Sequence, residues 1–167
     1  MKRMIIGLTL LALAGCNQPQ AAGDSGPAPE IAESPAYSDA EKTAILATFP
    51  APYDKADLAD GEKQFGKCRS CHTLAPGAGN MVGPPLFGVF GRMSGTEPGY
   101  PFSDPMIAHK TVWDFQSLDA YLAAPQSVVK GTRMGFAGIE DDAKRRDLIA
   151  YLKLESAPRV DAAASSQ

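Results

Sequence analysis

Cys68-Arg69-Ser70-Cys71-His72 restricts this 167-residue chain more than any other stretch of it. Two cysteines three positions apart fall on one side of a helical turn. Their sulfurs can add to two vinyl groups along one edge of a porphyrin, and the adjoining histidine is then held near the iron as an axial nitrogen. Cys-X-X-Cys-His is accordingly the pattern of covalent haem c attachment. Two other chemistries use a Cys-X-X-Cys pair. A thioredoxin-like dithiol expects a surrounding βαβ pattern, and no alternation of apolar and polar residues flanks Cys68. A zinc site needs four ligands, and the remaining cysteine and histidine are the distant Cys16 and His109.

The start of the chain reads as an export signal. Lys2 and Arg3 precede the apolar run Met4 to Ala14, which is too short to cross a bilayer as a helix and has the form of a signal-peptide core. Leu13-Ala14-Gly15-Cys16 resembles the lipobox of bacterial lipoproteins, in which the signal is cut before the cysteine and that cysteine takes two or three acyl chains. An ordinary signal peptide with an incidental cysteine is the competing reading. With lipid on Cys16 and haem on Cys68 and Cys71, no thiol remains for a disulfide. Several acyl chains on one residue give durable membrane attachment.

Composition divides the rest. Residues 1–15 form the expected signal peptide, and residues 16–52 a tether rich in Ala, Pro, Ser and Gly. Asp24, Glu30, Glu33, Asp39 and Glu41 there face the single base Lys42. Such a stretch buries too little to offset its ordering entropy, and as a coil it would reach roughly 30 Å. Inside it, Ser38-Asp39-Ala40-Glu41 has the form of a capping box, followed by Ala44, Ile45 and Phe49, so a short helix is expected before Pro50. The folded domain is expected over 53–156, with 157–167 as a frayed tail. Three helices are predicted within it: Lys55 to Cys68; from an N-cap at Ser117 to a stop at Pro125; and Asp141 to Leu154. Gly and Pro crowd the stretch between His72 and Trp113, which reads as loops wrapped on the cofactor. The predicted fold is all-α.

From about Asp57 to Lys153 the chain resembles the class I cytochromes c of the mitochondrial and alphaproteobacterial type. The residues that carry the resemblance are Gly61 with Phe65, the Cys68–His72 motif, Gly83-Pro84-Pro85-Leu86, Phe87 to Arg92, Pro98-Gly99-Tyr100, Trp113, Tyr121-Leu122, Gly131 to Ile139, and Asp147 to Lys153. The resemblance implies one covalent haem c in a single domain of three main helices, with electron transfer and no substrate chemistry.

A soft thioether suits ferrous iron and raises its potential, so methionine is the expected partner of His72 in a carrier. Met81, Met93, Met106 and Met134 are the downstream candidates. Met134 lies among Gly131, Gly135 and Gly138, where backbone can approach a porphyrin, whereas Met81 and Met93 read as core filler. The resemblance places the ligand at Met134. It also implies that the Pro84 carbonyl receives the Nδ1 proton of His72, that the Tyr121 hydroxyl lies near the methionine sulfur, and that Arg92, Trp113 and Thr132 serve the haem propionates. Gly61 would let the first helix cross the last, with Phe65 and Tyr151 at the crossing. Three positions depart from the family pattern. Phe102 stands in place of a propionate-binding tyrosine, and Met106 in place of an asparagine beside the haem, which should dry the pocket. Lys130 replaces a proline before the ligand loop and so frees that loop to open. His109 reads as a surface side chain.

Without Lys2 and Arg3, 14 bases face 19 acids, a net charge of −5 that sits mostly in the tether. Acidity and export together argue against nucleic acid. Lys67, Arg69, Lys130 and Arg133 are the bases placed to ring an exposed haem edge. By analogy the expected partners of the monomer are a quinol–cytochrome c oxidoreductase and a terminal oxidase, met at the periplasmic face of the cytoplasmic membrane. The inner leaflet of an outer membrane is the other location consistent with Asn17 after the lipid cysteine. Two further functions fit the motif: a peroxidase-like haem enzyme with a labile methionine, and an electron-transfer subunit dedicated to one dehydrogenase or reductase.

Overall fold

The structure, a computed structural model, describes residues 37–158. The expected signal peptide, Cys16, the first part of the tether and residues 159–167 lie outside the described residues.

Among the described residues, six helices and one 3-10 turn account for the regular structure. They are α1 (Asp39–Leu46), α2 (Leu58–Phe65), α3 (Asp104–His109), α4 (Phe115–Ala123), α5 (Pro125–Val128) and α6 (Asp142–Glu155), with the turn at Tyr53–Lys55. Among the described residues the one extended pairing is an isolated antiparallel bridge between Met93 and Val112. The domain is all-α, as its sequence predicts.

The frame is the crossing of α2 over α6. Asp57 caps α2 by accepting from the amides of Ala59 and Asp60 at 2.9 and 3.0 Å, and Asp141 caps α6 by accepting from Lys144 N at 3.0 Å. These caps satisfy amides that a helix start leaves without partners. Leu148, Ile149 and Ala150 of α6 are completely buried. A Cβ on Gly61 would lie 2.3 Å from the Asp147 carbonyl oxygen and 2.7 Å from Tyr151 Cβ, so only glycine lets the helices touch here. Phe65 and Tyr151 pack beside the contact, ring centroids 5.8 Å apart. Asp57 N donates to Asp147 Oδ1 at 3.0 Å across the same seam. Arg145 joins α6 to α4, its Nε 2.7 Å from Asp119 Oδ1 and its Nη1 donating to Ile139 O at 2.8 Å.

Three boundaries differ from expectation. The α4 cap is Asp114, not Ser117. Asp114 accepts from the Ser117 amide at 2.7 Å while Ser117 Oγ receives the Asp114 amide at 2.8 Å, so Ser117 closes a capping box from the third helical position. The expected long first helix breaks into the 3-10 turn, α2, and a run of turns that delivers Cys68, whose amide donates to Phe65 O at 2.8 Å. The folded part also begins earlier than residue 53. The Ser38–Glu41 capping box forms, and Leu46 and Phe49 beyond it pack on the core. Phe49, Tyr53 and Phe90 all meet Phe115, with centroids 5.4, 4.6 and 5.2 Å away.

Candidate functional site

Turns after α2, the long connection before α4, α4 itself, the loop after α5 and α6 together enclose one apolar cleft. Its empty space, mouth included, is about 1370 Å³. Cys68, Cys71, His72, Pro84, Arg92, Trp113, Tyr121, Thr132 and Met134 all line it. The structure thus gathers every haem-site residue read from the sequence into one cavity. Leu86, Val89, Leu118, Leu122, Leu148 and Leu152 supply much of the dry wall.

His72 is fixed from two sides. Its Nδ1 lies 2.7 Å from the Pro84 carbonyl oxygen, so Nδ1 carries the proton and donates, leaving Nε2 free to coordinate. Burial pulls the imidazole below its ordinary pKa, with the Pro84 bond opposing more weakly, so the ring is neutral at pH 7. Gly83 lies flat against the ring. A Cβ there would come within 2.3 Å of His72 Cε1, and Gly83 N donates to Cys71 O at 2.8 Å.

The surroundings of the cysteines bear on the competing motif readings. Burial pushes the Cys68 thiol up to about 11, with neighbouring Lys67 pulling less strongly the other way. A thiol so protonated at neutral pH is a poor redox dithiol. Among the described residues no three His, Cys, Asp or Glu side chains gather as a metal site.

The opposite ligand candidate is well supported by its neighbours. Tyr121 Oη lies 4.0 Å from Met134 Sδ and 3.0 Å from Thr132 Oγ1, which also accepts from Met134 N at 3.4 Å. The Thr132 hydroxyl thus engages both Tyr121 and the backbone of Met134. Arg92 is also engaged within the chain: it pairs with Glu97 and donates from Nη2 to Pro85 O at 2.8 Å. Burial lowers its pKa. Trp113 stacks obliquely on Tyr121 at 5.1 Å and on His109 at 6.0 Å, so His109 is half-buried beside the site rather than a free surface side chain.

Met81 and Met93 are not core filler, being 48% and 44% exposed, whereas Met106 is buried in the cleft wall. Phe102 lines the cleft too and meets Tyr100 edge-on at 4.7 Å. Tyr100 in turn donates to Val82 O at 2.7 Å, tying two mouth loops together.

Sequence reading missed Ser103. Its hydroxyl lines the cleft, is buried, and has no hydrogen-bond partner in the protein. An orphaned donor is costly in an apolar wall, and a carboxylate-bearing macrocycle offers the acceptor it lacks. Paired cysteines, a neutral histidine with one free nitrogen, a thioether and this orphaned hydroxyl in a dry cleft fit haem c.

Comparison with known proteins agrees. The cytochrome c family profile matches residues 58–154, more than half of the chain. A cytochrome c2 of Blastochloris viridis is 43% identical over 109 residues, covering 65% of this chain and 86% of that protein. A cytochrome c2 iso-2 of Magnetospirillum fulvum is 45% identical over 95 residues, covering 57% and 98%. A cytochrome c of Guizotia abyssinica is 45% identical over 102 residues, covering 60% and 92%. The chain belongs to the cytochrome c family, whose members carry single electrons on covalently attached haem c and are not enzymes.

Proposed function

We propose that this chain is a lipid-anchored monohaem carrier, with thioether links at Cys68 and Cys71 and axial ligands His72 and Met134. Haem c, when bound, supplies an iron that alternates between the ferric and ferrous states. The surrounding residues keep water out and hold both ligands: Pro84 and Gly83 orient His72, while Tyr121 and Thr132 place Met134. The observation that carries the reading is the convergence of His72, its Nδ1 already engaged, and Met134, its sulfur beside Tyr121, on one dry cleft. A thioether ligand beside an imidazole ligand would favour ferrous iron and so a raised potential.

Electrons would enter and leave at the mouth. The charged side chains lining the cleft are Lys67, Arg133 and Arg92, all basic, of which Arg92 is already paired with Glu97. A domain with few net charges can still present a cationic rim to an acidic partner surface. We assign quinol–cytochrome c oxidoreductase as donor and a terminal oxidase as acceptor. Attachment through Cys16 at the periplasmic face of the cytoplasmic membrane would hold the carrier beside both and raise its effective concentration.

Visible spectra test the ligand set. A weak far-red band in the ferric holoprotein that is absent from Met134→Ala supports it, and a parent protein without that band refutes it. For the anchor, Cys16→Ser should move haem protein from the membrane to the soluble fraction. Unchanged membrane retention overturns the lipid assignment.

A further inference from the structure

The loop that carries Met134 is held by a side chain that neither the motif nor its neighbours single out. Gln126 sits on α5, directly after buried Pro125. Its Nε2 donates to Thr132 O at 3.0 Å, and its Oε1 accepts from Gly131 N at 3.4 Å. One amide therefore meets a carbonyl and an N–H of the same loop, two and three residues before Met134. Few other side chains can do both, because a carboxamide holds a donor and an acceptor side by side on one planar group. On the far side of the loop, Arg133 Nη1 donates to Pro101 O at 2.7 Å, and Pro105 Cγ lies 3.3 Å from where a Gly131 Cβ would stand.

We infer that Gln126 is a positioning residue, a latch that keeps the Met134 loop closed over the cleft. The inference rests on the proposed ligation by Met134. Lys130, the exposed residue just before the loop, leaves the backbone there with two free dihedrals where proline would fix one. Gln126 supplies from outside the loop the restraint that its sequence lacks.

The two bonds are neutral and partly solvated, so losing both should raise the opening constant about five- to tenfold. Imidazole is a suitable probe, since it competes with the methionine for ferric iron and its apparent affinity scales with the open fraction. Titrating ferric holoprotein and following the far-red band, Gln126→Ala should bind imidazole about five- to tenfold more tightly than the parent. Gln126→Glu keeps the acceptor for Gly131 N but sets a carboxylate against the Thr132 carbonyl, and should bind at least as tightly as Gln126→Ala. In a Met134→Ala background, with no sulfur left to compete, adding Gln126→Ala should change the affinity by less than about twofold.

An unchanged imidazole affinity in Gln126→Ala overturns the latch and leaves Met134 as ligand. An equal gain in both backgrounds also overturns it, because that would mark general loosening. A parent protein whose spectrum does not depend on Met134 sinks the latch and the ligand assignment together.

Discussion

Gly61→Ala puts the α2–α6 seam under a load whose size can be worked out. In an isolated helix this substitution stabilises, by about 1 kcal/mol of helix propensity. Here the new methyl would meet Asp147 O at 2.3 Å and Tyr151 Cβ at 2.7 Å. Ordinary contact begins near 3.4 Å, so the helices must part by about 1 Å. The obstructing atoms are backbone and Cβ, which no rotamer change can remove. Opening a close-packed seam by that distance forfeits roughly a quarter to a half of its dispersion contacts. It also stretches the Asp57 N to Asp147 Oδ1 bond and the Phe65–Tyr151 contact. Overpacking of this kind costs about 1–3 kcal/mol, and backbone obstruction places it near the top of that range. The net loss is then about 2 kcal/mol, a fall in Tm of roughly 8–16 °C for a domain near 100 residues. Thermal unfolding of the ferric holoprotein, followed by far-ultraviolet circular dichroism, measures it. Ala59→Gly, on the exposed side of the same helix, calibrates propensity and should lose about 1 kcal/mol. If Gly61→Ala raises Tm by as much as Ala59→Gly lowers it, the seam is not close-packed and the reasoning fails.

Ser103→Ala has a sign that reports on the cofactor. If haem carboxylate receives the hydroxyl, the holoprotein loses about 1.5–3 kcal/mol by chemical denaturation, whereas a hydroxyl left orphaned makes the variant more stable than the parent. Asp114→Ala removes the α4 cap and should destabilise by about 1 kcal/mol at pH 7. Hydrogen bonds from Ser117 hold the Asp114 carboxyl below its ordinary pKa, so the cap contributes above the unfolded carboxyl range and fades as pH falls through the folded value. The parent and variant unfolding midpoints should therefore converge in acid, and a gap constant down to pH 2 would contradict the cap. Phe115→Ala empties the meeting point of Phe49, Tyr53 and Phe90 and should cost about 3 kcal/mol. The same variant should expose α1 to proteolysis, and retained protease resistance would show that α1 is held by other contacts.

Much of the site is legible because its chemistry is local. Cys68, Cys71 and His72 are neighbours in the chain, and Pro84 follows within the same loop, so spacing alone brings them together. Gly61 is legible through resemblance, and the structure supplies its reason as a backbone contact too short for any Cβ. What escaped depends on partners distant in sequence or on direction. Phe49 looks like the end of a polar tether until Phe115, far along the chain, covers it. Ser117 and Asp114 both suit a helix start, and only the reciprocal bonds show which is the cap and which closes the box. Arg92 is read from the sequence as a propionate donor, and its pairing with Glu97 five residues on has no motif to mark it. Met81 and Met93 are exposed because the loops that carry them run along the surface, a fact that apolar composition does not encode. Gln126 is an exposed polar residue after a proline, the least conspicuous kind of position, and its role exists only once the loop folds back.

The clamp on His72 bears on how fast such a carrier can work. Gly83 on one ring atom and Pro84 on Nδ1 leave the imidazole almost no freedom to turn or retreat. As the proposed iron ligand, an imidazole held this way would keep its place in both charge states of the metal. Little rearrangement of this ligand would then accompany each transfer. The close approach of Gly83 to the ring, a packing constraint by origin, would in this sense lower the reorganisation energy of the proposed carrier.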